Sequence, residues 1–429
     1  MRVLFTTLAH RTHFYPLVPL AWALRGAGHE VRVASEPALT DDITQTGLTA
    51  VPVDEPEWSI KDPADLALLK QFHEDGFVYL REFDFVGGGH GRWTWEDLLG
   101  LQNIGVPSHD SVMNNDLMID KLVAFARDWR PDLVIWETYT IAGAITATAV
   151  GAAHARFVTG PDVVMRARKE FLRQKELQHP EHQEDPAAEW LGWTLERVGA
   201  EGEFTEDVVT GQWTIDSAAP STRLDLGQHT VGVRYVPHNG PAVVPDWLRL
   251  PAKRPRVCLT FGVSEWVAEW LNGEVITDLL LALSGLNIEV VATLTGKQIE
   301  QVTEVPANAR LVEFVPLDDL MPTCAAVVHH GGIGTKANAE LHGVPQIILA
   351  FGMDTAVMGA GIEESGAGLA MPIEELTGAT LRDKVSRVVS EPSFASAAAR
   401  LREEMLAEPA PNDVVPLIEK LTAEHRGRI

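Results

Sequence analysis

The chain has 429 residues, 45% of them hydrophobic and 22% charged, an ordinary globular composition but too long for one growing core, so two domains are expected. With 35 Lys+Arg against 60 Asp+Glu the net charge is −25, which repels nucleic acid and anionic membrane surfaces. The two cysteines, Cys258 and Cys324, are too few for a disulfide framework or a cysteine-based zinc site.

Residues 3–7 predict a strand, 17–25 a helix closed by Gly26-Ala27-Gly28, and 30–34 a second strand. This is the opening of a doubly wound α/β domain, whose ligand sites lie in loops beyond the carboxyl ends of parallel strands. Residues 10–16 occupy such a loop. The N-terminus has neither a charged leader nor a small-residue cleavage site, and no long apolar run follows, which points to the cytoplasm and away from membranes. Residues 57–100 lack a clean period and carry Trp58, Phe72, Phe77, Tyr79, Phe83, Phe85, Trp93 and Trp95, with a glycine-rich run at 87–91. An insertion of this kind shapes a binding mouth. A helix is expected at 116–128, a buried strand at 131–137 ending in Glu137, a helix at 141–150, a strand at 154–158, and a helical, charged and aromatic stretch at 163–213.

Proline and glycine over 236–245, with Pro251 and Pro255 nearby, mark a linker. The expected organisation is a first domain at 1–235, a linker at 236–255, a second domain at 256–390, and helices at 391–429 that return to the first domain. In the second domain strands are expected at 257–261, 288–294, 309–314, 325–328 and 346–350, with helices at 274–284 and 336–341.

The last of those helices follows His329-His330-Gly331-Gly332-Ile333-Gly334-Thr335. A strand that breaks at glycines and enters a helix exposes backbone N–H groups at a positive helix end, an anion cradle with no β-carbon in the way. Gly332-x-Gly334-x-x-Ala337, with Asp354 about twenty residues later, also fits a relaxed dinucleotide fingerprint, so an oxidoreductase is an alternative, as is a purely structural glycine turn. Against the fingerprint, several strands precede it and it has no use for paired histidines. No lysine-containing phosphate loop, His-Glu-x-x-His, Gly-x-Ser-x-Gly or Asp-x-Asp occurs, so nothing requires a metal or cofactor, and phosphate neutralisation falls to backbone N–H groups, His330 and Thr335.

His13, in the first βα loop, is a candidate general base, with His10 as its competitor. A lone histidine is more often a surface or packing residue. Glu137 is placed to orient an imidazole, although alone it reads as a solvated strand end.

Taken together, Arg11-Thr-His13-Phe-Tyr-Pro-Leu-Val-Pro-Leu-Ala21, Arg25-Gly-Ala-Gly-His-Glu-Val31 and the run from His330 to Pro345 resemble the GT-B nucleotide-sugar glycosyltransferases. Leu17-Val-Pro-Leu-Ala-Trp-Ala-Leu-Arg25, the run Trp129 to Glu137, Gly211-Gln-Trp-Thr-Ile-Asp216 and Tyr235-Val-Pro-His-Asn-Gly-Pro241 sharpen the likeness to actinobacterial enzymes that attach deoxysugars to macrolide and anthracycline-type polyketides. The resemblance implies an α/β GT-B fold, two Rossmann-like doubly wound parallel-sheet domains facing across a cleft. It implies an inverting, metal-independent transfer of a deoxyhexose from a thymidine diphosphate (dTDP) sugar to a hydroxyl of a hydrophobic polyketide. His13 would then be the base and Glu137 its partner, where the family usually has aspartate. His330, Gly331, Gly332, Gly334 and Thr335 would bind the diphosphate, Phe314, Val315 and Pro316 the nucleobase, and Asp354 and Thr355 the sugar. Thr355 stands where many uridine-diphosphate-sugar members have glutamine, and Asn338 where they have a ribose-binding glutamate. No cofactor is implied, the donor being a co-substrate. An activator protein resembling a cytochrome P450 without haem is implied as partner, with 163–213 as its candidate contact surface or, alternatively, as helices that pack on the first domain and line the acceptor pocket, and a homodimer is allowed. A non-catalytic sugar-nucleotide binder and a nucleotide-sugar isomerase of the same fold are the alternatives.

Overall fold

Alternate residues of each predicted strand are buried on opposite faces, which fixes the layering. In the computed structural model, which describes residues 1–53, 63–86, 92–262, 267 and 270–427, Val3 and Phe5 enter one apolar cluster while Leu4 enters another across the sheet. Leu133 and Ile135 likewise oppose Val134 and Trp136. Strands buried on both faces read as continuous apolar runs, and helices cover both sides.

The first sheet contains β1 (Arg2–Thr6), β2 (Glu30–Ser35), β3 (Thr49–Pro52), β4 (Leu133–Glu137), β5 (Ala153–Val158), β6 (Trp213–Asp216) and β7 (Thr230–Gly232), in the order β3-β2-β1-β4-β5-β6-β7. The second contains β8 (Arg256–Thr260), β9 (Glu289–Thr293), β10 (Ala309–Val312), β11 (Cys324–His329), β12 (Gln346–Ala350) and β13 (Gly368–Pro372), in the order β10-β9-β8-β11-β12-β13. Every pairing in both is parallel. In each sheet the order turns back at one place, between β1 and β4 and between β8 and β11, and ligands of doubly wound sheets bind at such switch points.

The chain divides into two units: Met1–Ser217 with Leu224–Gly240 and Pro409–Ile429, and Ala218–Arg223 with Pro241–Glu408. The closing segment expected to return as one piece therefore divides. Val414, Val415, Ile418 and Leu421 of helix Pro411–His425 bury in the first unit's core, whereas Ala397, Ala398 and Leu401 of helix Pro392–Ala407 bury against Ile348 of β12. At about 1.5–3 kcal/mol per buried aliphatic side chain, each stripe is enough to fix its helix to its own core.

Three local expectations are corrected. Residues 57–100 hold helices Pro63–Glu82 and Trp95–Gly105; the first is mostly exposed, so it has no strong apolar period to read. Trp58 and the glycine run at 87–91 lie outside the described residues. The stretch 163–213 is helical at Val163–Lys175 and Pro186–Arg197 but ends in strand β6 at Trp213, whose four residues are too short a run for their apolar–polar alternation to stand out. Strand β10 stops at Val312, leaving Phe314 57% exposed beyond it.

Candidate active site

In the first unit the chemistry collects at the carboxyl ends of β1 and β4. The two strands pair in parallel with Thr6 beside Trp136, so the loop after β1 and the residue after Trp136 emerge side by side. His13 lies in the short helix Arg11–Phe14 that follows that loop, and its Nδ1 is 3.1 Å from Glu137 Oε2. Glu137 is buried, and its other oxygen accepts a 2.6 Å bond from Thr140 Oγ1. Burial pushes this carboxyl up, but the charge of His13 and the bonds from His13, Thr140 and the Tyr139 backbone hold it below its usual range. A carboxylate only accepts, so His13 Nδ1 carries the hydrogen and Nε2 keeps the lone pair. The His13 side chain is 30% exposed, enough to meet a substrate hydroxyl, and the Tyr139 ring packs edge-on against it at 5.6 Å.

His10, the competing candidate, is occupied otherwise. It caps the same helix: its Nδ1 accepts from the Thr12 N–H at 3.4 Å and meets Thr12 Oγ1 at 2.6 Å. Burial, with the charges of His13 and Arg11, keeps its imidazole from protonating readily.

In the second unit the glycine stretch follows β11. The helix Ile333–His342 starts at Gly332 with no side-chain cap, whereas Asn115, Asp162, Asp185, Asn272 and Thr295 each cap theirs. Its first N–H groups are therefore presented to an incoming anion at the positive end of the dipole. Gly331 has φ +85°, and a β-carbon there would come within 2.8 Å of Thr355 Cβ and Cγ2. Only glycine fits on both counts. The His330 ring is wedged between Gly262 and Gly332, where added β-carbons would lie 2.6 and 2.8 Å from its Cε1. Burial pushes His330 down to about 4, against an opposing bond to the Thr260 backbone, and its Nδ1 is buried with no hydrogen-bond partner.

His329 is structural. It is fully buried, Nε2 bonds Gln346 Oε1 at 2.9 Å, and Nδ1 accepts the Gly331 N–H at 3.2 Å, so it shapes the loop and faces no ligand. Thr335 and Gly334 stand in the first helical turn, with Asn338 Nδ2 donating to the Gly334 carbonyl at 2.8 Å.

The remaining predicted residues lie at the same carboxyl edge of this sheet. Phe314, Val315 and Pro316 follow β10, with Val315 buried and Phe314 exposed. Asp354 is in the first turn of helix Met353–Ser365 after β12. Thr355 Oγ1 accepts from Phe351 N at 2.9 Å and donates to the Gly352 carbonyl at 2.6 Å, so its hydroxyl closes its own turn.

Sequence reasoning missed Thr140, Tyr139, Gly262 and the Thr260 backbone. Thr140 carries a weak signal, a hydroxyl three residues past a strand-end carboxylate. For Gly262 the only cue is a glycine just after β8. Among the described residues no group of three or more His, Cys, Asp or Glu is placed to hold a metal, and no helix is long and apolar enough to cross a membrane.

Residues 22–262 match the N-terminal domain of the erythromycin biosynthesis protein CIII-like family, and residues 277–421 match its C-terminal domain. The chain is 48% identical to 3-alpha-mycarosylerythronolide B desosaminyl transferase of Saccharopolyspora erythraea, over 99% of both chains. It is 49% identical to 10-deoxymethynolide desosaminyltransferase of Streptomyces venezuelae, over 99% of this chain and 98% of that one. Among solved structures, the glycosyltransferase VinC in complex with dTDP superposes with a TM-score of 0.86 at 38% identity, covering 99% of this chain and 100% of that one. The spinosyn forosaminyltransferase SpnP superposes with a TM-score of 0.79 at 37% identity, over 99% of both.

Proposed function

The chain belongs to the erythromycin biosynthesis protein CIII-like family of glycosyltransferases, and from that premise we propose how its own residues move a deoxyhexose from a dTDP-sugar to a hydroxyl of a hydrophobic polyketide. The observation that carries the mechanism is the His13–Glu137 pair. With the hydrogen on Nδ1, the Nε2 lone pair takes the proton while the carboxylate opposite stabilises the imidazolium, the division of labour of other histidine–acid pairs.

The acceptor oxygen attacks the anomeric carbon as its proton passes to His13 Nε2, and the bond from that carbon to the diphosphate oxygen breaks. One displacement inverts the anomeric centre, through a transition state of oxocarbenium character. Negative charge gathers on the departing diphosphate, where the first N–H groups of helix Ile333–His342 and the His330 side chain oppose it. A helix end contributes up to about 2 kcal/mol, so directed hydrogen bonds from the Gly331–Thr335 loop supply much of the rest. We assign the nucleobase to Phe314, Val315 and Pro316 and the sugar hydroxyls to Asp354, with Thr355 as a buttress to Gly331 rather than a sugar ligand. The scheme uses no metal and no cofactor beyond the donor.

An activator protein, a dimer and a cytoplasmic location remain part of the proposal. On the helices expected to meet an activator, Phe171 and Leu191 are buried, whereas Trp193, 67% exposed, and Val164 are large apolar side chains available to a partner. A non-catalytic binder would have no need of a charged Glu137 behind a half-exposed histidine.

The test is mass spectrometry of products from a panel of polyketide aglycones and dTDP-deoxysugars, with and without an activator. Glycosylated product that disappears in His13→Ala supports the scheme. Product formation by that variant at the wild-type rate removes His13 as the base.

A further inference from the structure

One buried amide stands behind the turn that follows Glu137. Asn114 is 2% exposed and closes the short helix Ser111–Met113. Its Nδ2 donates to the Asp110 and Tyr139 carbonyls, each at 2.9 Å, and its Oδ1 accepts the Ala142 N–H at 2.9 Å. Flipped end for end, the amide would set its oxygen against two carbonyls and its nitrogen against an N–H, so these partners fix its orientation. The side chain therefore grips both ends of a turn that lies 25 to 28 residues further along the chain.

That turn carries what surrounds the acid. Glu137 takes bonds from Thr140 Oγ1 and from the Tyr139 backbone, and the Tyr139 ring packs on His13. Within the turn, Thr140 N bonds the Glu137 carbonyl at 2.9 Å and Gly143 N bonds the Thr140 carbonyl at 3.0 Å. Ala142 opens helix Ala142–Val150, where Ile141 offers no side-chain cap, so Asn114 supplies the missing acceptor from a distance. The segment before Asn114 reaches Tyr139 a second time. The π-helical turn Val106–Asp110 brings the His109 ring edge-on to the Tyr139 ring at 5.4 Å, and through the Asp110 carbonyl it anchors the amide.

We propose that Asn114 is a positioning residue for the transfer, holding the 139–142 turn so that Glu137 stays aimed at His13 Nδ1. This rests on the reading of His13 and Glu137 as base and orienting acid. Asn114 spends its three bonds on backbone groups and acts through Glu137. Around His13 the structure places Glu137, Tyr139 and His10, and of these Glu137 is the anion that favours the imidazolium. Releasing the turn lets that carboxylate drift, and a misplacement of about 1 Å can cost about 10²-fold in rate.

The experiment is a double-mutant cycle in the full-length protein. It uses Asn114→Leu, which is similar in shape but lacks the amide, Glu137→Gln, and the two combined, with an aglycone and dTDP-deoxysugar pair that wild type converts. Asn114→Leu is expected to lower kcat about 10- to 10²-fold and to leave dTDP affinity unchanged. It should also move the acidic limb of kcat/KM to lower pH, because a loosened carboxylate stabilises the imidazolium less. In the Glu137→Gln background it should cost nothing further, since both changes break one unit. An amide that serves folding alone would lower the melting temperature and leave the pH limb where it is. Full turnover in Glu137→Gln removes the pair, and the role of Asn114 with it. Slow Glu137→Gln beside a wild-type rate in Asn114→Leu, or losses that multiply in the double variant with the pH limb unmoved, overturns the proposal and leaves the pair standing. Should Asn114→Leu not fold, the same cycle with Asn114→Asp decides. That variant keeps an acceptor for the Ala142 N–H, at a helix end that favours an anion, and gives up both donors. The same coupling to Glu137→Gln is expected of it, and multiplying losses again overturn the proposal.

Discussion

His13 Nδ1 and Glu137 Oε2 lie 3.1 Å apart although 124 residues separate them in the chain. Neither strand makes the contact alone. The jump from β1 to β4 in the sheet order sets the two strand ends side by side, and Thr140 then holds the carboxylate from behind.

Glu137→Gln tests that contact. An amide can donate to Nδ1 and push the hydrogen to Nε2, which then cannot accept a proton, so turnover is expected to fall about 10²- to 10⁴-fold. Titration with dTDP should give wild-type affinity, and Glu137→Asp should recover part of the rate. An unchanged rate in Glu137→Gln would detach the carboxylate from catalysis.

His13→Ala removes the proposed base. Steady-state kinetics should show the barrier raised by about 3–5 kcal/mol, as a loss of kcat, with dTDP affinity little altered. A loss confined to KM would instead make His13 a binding group.

Two glycine-to-alanine exchanges separate site geometry from backbone entropy. Gly262 has φ +71°, and its β-carbon would meet His330 Cε1 at 2.6 Å, so Gly262→Ala is expected to weaken dTDP binding by about tenfold or more. Gly361, within helix Met353–Ser365, has nothing within 4 Å of its would-be β-carbon, so Gly361→Ala should leave binding intact and add about 0.4–1 kcal/mol of stability. Calorimetry and thermal melts read both. Equal effects on binding would show that the His330 wedge is unimportant.

Thr355→Val keeps the methyl against Gly331 and removes the hydroxyl that accepts from Phe351 N. It should cost about 1 kcal/mol of stability and leave donor KM the same for every dTDP-sugar tried. Asp354→Asn should raise donor KM. A sugar-dependent change in Thr355→Val would return Thr355 to the sugar site.

Acid should destabilise the protein through its buried neutral imidazoles. Burial pushes His154 and His330 down to about 4 and His329 to about 3, whereas in the unfolded chain they titrate near about 6.5. Between those values the unfolded state binds more protons, so the stabilisation is complete above about 6.5 and is lost as pH falls toward the folded values. By about pH 5 each has given up roughly 2 kcal/mol. Urea unfolding at pH 7 and pH 5 measures the loss, and His154→Asn should flatten the slope. Equal stability at the two pH values would contradict neutral burial.

How much of this was readable in advance varied with the physics of each segment. Continuous apolar runs such as 131–137 and 346–350 announce buried parallel strands, and the glycines at 330–335 announce a strand that breaks into a helix, because both signals are local. The helix Pro63–Glu82 was hidden because a mostly exposed helix leaves no period, and β6 because a four-residue strand is too short for its alternation to stand out. Their positions alone do not separate His10 from His13, since both occupy one loop; the family resemblance favours His13, and the fold shows that His10 caps the helix while His13 meets Glu137.

By itself the sequence determined the two α/β units, the glycine cradle and a short set of candidate residues, because strand burial, helix entry and glycine freedom depend on near neighbours in the chain. Tertiary structure alone decided which histidine has a carboxylate behind it, that Thr355 buttresses Gly331, and that His330 is pinned by two glycines, one 68 positions away at Gly262. Those outcomes depend on strand order, which brings together residues that are distant in the chain and leaves no pattern along it.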